Sequence, residues 1–377
     1  MSSTLLSYDY KFKQSVRLNV MVRRLASWVG VGFTLASFLI LGCQGVVAPP
    51  AGVEGNISFT HVADGTLATY ALSGNTQPLL DPSIIRAGNT YYVFSTDVLG
   101  SSTGNTLPIR CSQDQLNWTD CGSVFPRIPG WISASVPGVV GLWAPDISYF
   151  AGAYHVYYSA STLGSQRSVI GLATNTTLDP ADPNYRWIDR GEVLESSASR
   201  NFNAIDPNIL VDATGAVWMT FGSYWSGIQQ VRIDPLTGMP VSGGAMLSLA
   251  TRPGVPNNPI EGASIVRHGN FYYLFISIDY CCKADYTTNN YKEAVGRSSS
   301  PQGPFVDRDG TPMLSGGGTV LLETQGIWIA PGGGTAYVDS AAGESLLVFH
   351  ALKATESGRQ YLWLKHIDWQ DDWPVLL

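Results

Sequence analysis

Charge is scarce in this chain. Of its 377 residues only 14% are Asp, Glu, Lys or Arg, and the balance is acidic, with a net charge of −7. A basic stripe able to track a phosphate backbone is missing, so nucleic acid is not an expected partner, while a neutral polymer is compatible. Histidine is scarcer still: there are five, and two of them, His350 and His366, stand on apolar stretches that read as strands, where a satisfied core imidazole is expected. A His-based catalytic triad therefore has little support. No second Cys or His pair lies at zinc-ligand spacing. There is no P-loop, no dinucleotide-type Gly fingerprint after a strand and no nucleophile elbow.

Long apolar runs are equally rare. The notable one, Leu25 to Leu41, follows Lys11, Lys13, Arg17, Arg23 and Arg24 and reads as an export signal. Its end, Leu39-Ile-Leu-Gly-Cys43, resembles a lipobox, whose Cys is acylated after cleavage and becomes the mature N-terminus. Lipidation, ordinary cleavage and an uncleaved membrane anchor all remain open for residues 1–43, and the expected location is secreted or attached to the cell envelope. Residues 44–74 read as a linker running into a first outer strand. Without Cys43, four cysteines are left. Cys111 and Cys121 suit a bridge across a short hairpin, and Cys281-Cys282 suits either a vicinal disulfide or two thiols.

What the chain has in abundance is turn formers and rings: 40 Gly, 22 Pro, 18 Tyr and 11 Trp, within a hydrophobic content of 45%. This favours many short strands and an all-β fold. Five similar stretches organise it. The first, Asp81-Pro-Ser-Ile-Ile-Arg-Ala-Gly-Asn-Thr-Tyr-Tyr-Val-Phe94, reads as a strand, a Gly-Asn turn and a second strand, and related hairpins close on Tyr158, Phe221, Phe275 and Phe349. Spacings of 54 to 74 residues between those rings are too long for a helical solenoid and suit propeller blades of four strands. The expected domain is a β-propeller over residues 75–377. In four copies an acid opens the hairpin: Asp81, Asp146, Asp206 and Glu261. If the copies are blades, these acids meet in one central funnel.

Carboxylates gathered at one cavity can hydrolyse glycosidic bonds. One holds a proton for the leaving oxygen, another stays ionised to deprotonate water, and a third raises the donor's pKa by repulsion. Glu261, the lone Glu with its longer reach, suits the acid; Asp81 suits the base. Alternatively, these acids only open turns. Trp143, beside Asp146, can stack on a sugar face or simply wall the cavity. Hydroxyls and rings after the third hairpin, Ser223, Tyr224 and Trp225, suit a polar, flat-faced ligand, and Gly164 can bring backbone against it.

Asp81-Pro-Ser-Ile-Ile, Trp143-Ala-Pro-Asp146, Gly164-Ser-Gln166, Asn203-Ala-Ile-Asp-Pro207, Glu261-Gly-Ala-Ser264, Cys281-Cys282, Val295-Gly-Arg-Ser298 and Gly303-Pro-Phe-Val-Asp-Arg-Asp-Gly310 resemble, in order, the motif series of the glycoside hydrolase family 43 arabinanases. The resemblance implies a five-bladed propeller and an inverting endo-hydrolase of α-1,5-linked L-arabinan. It implies Asp81 as general base, Glu261 as general acid and Asp206 as the residue that tunes and orients Glu261. Gly164, Asn203, Ala204, Ile205, Asp206, Ser223, Tyr224 and Trp225 match cleft-lining positions, and Asp146 matches an acid with a supporting role. Two departures stand out: Leu80 replaces a His before the first Asp, and Gly333 replaces a His that helps bind an axial cation. The chemistry needs no cofactor, and an axial calcium or similar ion loses a ligand at Gly333. Arabinan or arabino-oligosaccharide is the implied partner, and a monomer is expected. Two rivals stay open: an exo-acting α-L-arabinofuranosidase or β-xylosidase of the same fold, and a non-catalytic sugar-binding propeller.

Overall fold

Two-residue turns close three of the five hairpins, at Gly88-Asn89, Ala151-Gly152 and Gly269-Asn270. Ala151 and Gly152 both have positive φ, which matches the right-handed twist of the flanking strands. The computed structural model describes Leu67, residues 70–97 and residues 106–377, all within one unit, Thr60–Leu377. The expected export signal and lipobox lie outside the described residues. Among the described residues no helix is long and apolar enough to cross a membrane.

The hairpins belong to five sheets, each running antiparallel in chain order from an inner to an outer strand. The first is Ser83–Ala87, Thr90–Phe94, Thr106–Ser112 and Asn117–Phe125; the second is Trp143–Phe150, Ala153–Ala160, Ser168–Asn175 and Ile188–Ser196. The third is Asn208–Val211, Val217–Phe221, Ile228–Ile233 and Leu247–Ala250; the fourth is Ile260–His268, Phe271–Ile278, Lys292–Ser298 and Thr319–Leu322. The fifth is Trp328–Asp339, Glu344–Lys353, Arg359–Gln370 and Trp373–Leu376. Each innermost strand touches the next, and the fifth touches the first, so the blades form a closed five-bladed propeller.

Part of the expected linker belongs to this ring. Ser73–Gly74 pairs in parallel with Asn117 and Trp118 of the first blade. Leu67 is fully buried in the apolar cluster shared by the fourth and fifth blades, and Tyr70 packs among the fifth blade's Trp328, Tyr361 and Trp363. The segment between is stitched to the fifth blade by Leu79 N–H donating to Gln360 O and Leu362 N–H donating to Thr76 O. These residues strap the first blade to the last. Trp118 packs at the same junction with Leu79, Leu346 and Leu362.

Candidate active site

Each blade delivers one left-handed residue to the same end of the axis: Asp81 (φ 48°), Ala144 (φ 38°), Asp206 (φ 56°), Gly262 (φ 58°) and Gly333 (φ 59°). In the second, fourth and fifth blades a β-bulge sits there, between Trp143 and Asp146, Glu261 and Ser264, and Gly332 and Thr335. Bulges turn a side chain out of the sheet, and three non-glycine residues at positive φ represent stored strain of the kind found at working sites.

Two residues further along, the same strands carry a belt of inter-blade hydrogen bonds. Ser83 Oγ accepts from Ile147 N, Asp146 Oδ2 from Ile209 N, Asn208 Oδ1 from Ile265 N and Ser264 Oγ from Ala336 N. Tyr337 OH accepts from Arg86 N and completes the circle. Asp146 therefore corresponds to Ser83, Asn208 and Ser264, and its expected equivalence with Asp81, Asp206 and Glu261 is corrected. The second blade's residue at the strained position is Ala144, so three acids converge rather than four. Asp146 is 3% exposed, also accepts from Asn208 Nδ2 at 2.8 Å, and is not among the residues lining the large cavity.

That cavity, of about 1480 Å³, opens above the strained residues, with Asp81, Asp206 and Glu261 all in its lining. Thr96 Oγ1 donates to Asp81 Oδ2 at 2.6 Å while accepting from Ala144 N at 2.7 Å. Glu261 receives the hydroxyls of Ser223 (2.6 Å, to Oε2) and Tyr291 (3.0 Å, to Oε1). Asp206 is fixed at both ends: its N–H donates to Ser159 Oγ, and its Oδ2 accepts from Gly262 N at 3.2 Å, the residue after Glu261.

Burial pushes Asp81 up to about 6, against the Thr96 hydrogen bond that lowers it. Asp206 is raised well above its ordinary value, first by burial and then by the negative charges of Glu261 and Asp81. Glu261 is raised by burial, opposed by Ser223 and Tyr291 and helped by Asp81. Asp206 and Glu261 thus titrate as a pair that retains a proton to higher pH than a free carboxyl does. One group poised to ionise faces a pair poised to stay protonated, which is the division a general base and a general acid require.

His350 is the buried, satisfied imidazole expected on its strand, and its partners belong to the site. It is fully buried, yet its Nδ1 accepts from Asp81 N at 3.2 Å and lies 3.6 Å from Asp81 Oδ1. Burial holds it down to about 3, so the ring is neutral and the contact is no ion pair. With Nδ1 accepting, the proton sits on Nε2, 3.4 Å from Cys281 Sγ. Gly333 makes this possible, since a Cβ there would meet Asp81 Oδ1 at 2.6 Å and the His350 ring at 2.8 Å. Position 333 offers an axial ion no side chain, and both ring nitrogens of His350 are engaged. Cys281, Cys282 and His350 bring donor atoms within 4.8 Å of one another, but the two sulfurs are bonded as a vicinal disulfide and supply no thiolate. Cys111 and Cys121 form the other disulfide.

Trp143, Gly164, Asn203, Ile205, Ser223, Tyr224 and Trp225 line the cavity, Trp225 at 40% exposure. Ala204 does not: it is fully buried against Phe202 and Phe221, and its N–H is held by Ser196 Oγ. Thr96, Tyr291 and His350 are the working residues that sequence reasoning gave no role. Tyr291 and His350 sit on or beside ordinary strand patterns, and only Thr96, two residues past the end of the first repeat, stood close to a sequence signal.

The model of the family described as "Glycosyl hydrolases family 43" matches residues 76–374. The chain is 36% identical over 327 residues to the extracellular endo-α-(1→5)-L-arabinanase 1 of Bacillus subtilis (strain 168), covering 86% of this chain and 95% of that protein. It is 36% identical over 320 residues to an extracellular exo-α-(1→5)-L-arabinofuranosidase of Cellvibrio japonicus (strain Ueda107), covering 81% and 88%. The structure of a Cellvibrio cellulosa α-L-arabinanase complexed with arabinohexaose superposes with a TM-score of 0.73 at 35% identity, covering 80% of this chain and 96% of that one.

Proposed function

The chain belongs to glycosyl hydrolase family 43, and from that premise we propose that it is an endo-acting arabinanase, cleaving internal α-1,5-L-arabinofuranosyl linkages with inversion. The observation that carries this reading is the convergence of Asp81, Asp206 and Glu261 on one cavity with their ionisation pulled apart. In this reading Asp81 takes a proton from a water, whose oxygen attacks the anomeric carbon. Glu261 gives its proton to the departing glycosidic oxygen, and that bond breaks. Asp206, braced by Gly262 N–H, orients Glu261 and keeps the pair from ionising together. The proton transfers need no metal ion, since the donor and acceptor are both side chains.

An endo mode is supported by cavity size, which exceeds the ~300–1,000 Å³ usual for a single small ligand. It is also the activity named for the Bacillus subtilis relative. The exo reading rests on the Cellvibrio japonicus relative and on the loop from Thr251 to Asn258, which walls one side of the cavity. Early products from linear arabinan decide between them: oligosaccharides of mixed length are expected, and arabinose alone from the first moments overturns endo action. The first-formed anomer, followed by NMR, is expected to be inverted.

Export through residues 1–43 fits relatives that are named extracellular, and a lipid on Cys43 is the finer form of that reading. Mass spectrometry of the mature N-terminus tests it. A monomer is the simplest assembly, because one chain closes the ring and supplies every group the chemistry uses.

A further inference from the structure

Three consecutive glycines, Gly332 to Gly334, enter the fifth blade's inner strand, and each is pressed by a side chain from elsewhere. A Cβ on Gly332 would meet the Tyr291 ring at 2.3 Å, one on Gly333 would meet Asp81 and His350, and one on Gly334 would meet the Glu293 carboxyl at 3.0 Å. Tyr291 holds Glu261 and His350 holds the Asp81 backbone, so two of the three contacts already serve the proposed acid and base. The third belongs to Glu293, which the mechanism above leaves without a task.

Glu293 is 0% exposed, and apart from the Gly334 backbone against which its carboxyl lies, its Oε1 has no hydrogen-bond partner. A buried carboxyl in that condition costs stability, so a purely structural role would be filled better by an apolar residue. Its placement is specific. Glu261 pairs across the sheet with Ser277, and Ser277 pairs with Glu293, so the three side chains stand in one row on one face of the fourth blade. Ser277 Oγ donates to Glu293 Oε2 at 2.9 Å and accepts from Gly333 N at 2.9 Å. Gly333 is the surface against which the Asp81 carboxylate rests.

We propose that Glu293 is a positioning residue of the hydrolase: through Ser277 it fixes Gly333 across the seam between the fourth and fifth blades, and thereby the distance of the first blade's Asp81 from Glu261. The inference rests on the arabinanase reading. Losing the anchor lets the glycine segment shift, and a shift of about 1 Å at a reacting group costs up to about a hundredfold in rate.

The test compares wild type, Glu293→Gln, Glu293→Leu and Ser277→Ala on linear arabinan, reading kcat, KM and Tm. Glu293→Gln keeps an acceptor for the Ser277 hydroxyl and is expected to stay within about threefold of wild type. Glu293→Leu and Ser277→Ala are expected to lose at least about tenfold in kcat per folded molecule, with KM within about twofold. Wild-type kcat in Ser277→Ala, or in a folded Glu293→Leu, overturns the proposal, as does a loss in Glu293→Gln equal to that in Glu293→Leu. If Glu293→Leu does not fold, Ser277→Ala and Glu293→Gln still decide. A wild-type protein inert on arabinan overturns the reading beneath the proposal, and is distinguished because no variant is then needed.

Discussion

Two sets of polar residues stand on or just before the inner strands, two or three positions apart, and they behave oppositely. In the belt, Asp146 accepts from Ile209 N, Asn208 Nδ2 and Ser83 Oγ and is shut away from the cavity. At the mouth, Asp81, Asp206 and Glu261 face the cavity from strained or bulged backbone, with fewer bonds to the protein than a carboxylate can accept. A carboxylate held by three protein donors and shut away from the cavity joins blades. One left partly unsatisfied beside solvent and like charge keeps its proton chemistry available.

Substitutions that remove charge from each set test that separation. Glu261→Gln and Asp81→Asn are expected to lower kcat by at least about two orders of magnitude while leaving Tm near wild type, measured by arabinan hydrolysis and thermal unfolding. Asp146→Ala is expected to do the reverse. By stranding the Ile209 and Asn208 donors it costs about 2–4 kcal/mol in unfolding free energy, with kcat per folded molecule nearly retained. A folded Asp146→Ala protein without activity would merge the two sets into one.

The pH profile sharpens the comparison further. Asp81 works ionised, so kcat/KM is expected to rise with pH through about 6 and to fall again where the Asp206–Glu261 pair gives up its proton. Thr96→Val removes the hydrogen bond that lowers Asp81, which moves the acidic limb upward by up to about one unit. An unmoved limb would assign it to another group. The smallest effect is in stability. Asp146 is raised from 3.8 to about 7 by burial, so its contribution is fully present below pH 4 and is lost as pH rises to about 7. Asp146→Asn is expected to flatten part of that decline in denaturant titrations.

The hairpins, their number and the three acids were legible in the sequence because each is local. A strand needs alternating apolar residues, a turn needs Gly-Asn or its like, and Asp81, Asp206 and Glu261 each stand at the opening of a repeat, Glu261 one residue before the position the two Asp occupy. Asp146 misled for the same reason: it opens its copy as the others do, but a two-residue offset, invisible without the bulge, moves it from the mouth to the belt. Ala204 misled because a run of cleft residues has one member turned into the blade. His350, Tyr291 and Glu293 were out of reach, since nothing in a strand's own pattern says which blade its side chains will meet. The sequence by itself determined which segments pair and which carboxylates exist. Only closure of the ring decided which stand together, because contacts across blade seams join residues as far apart as Asp81 and His350.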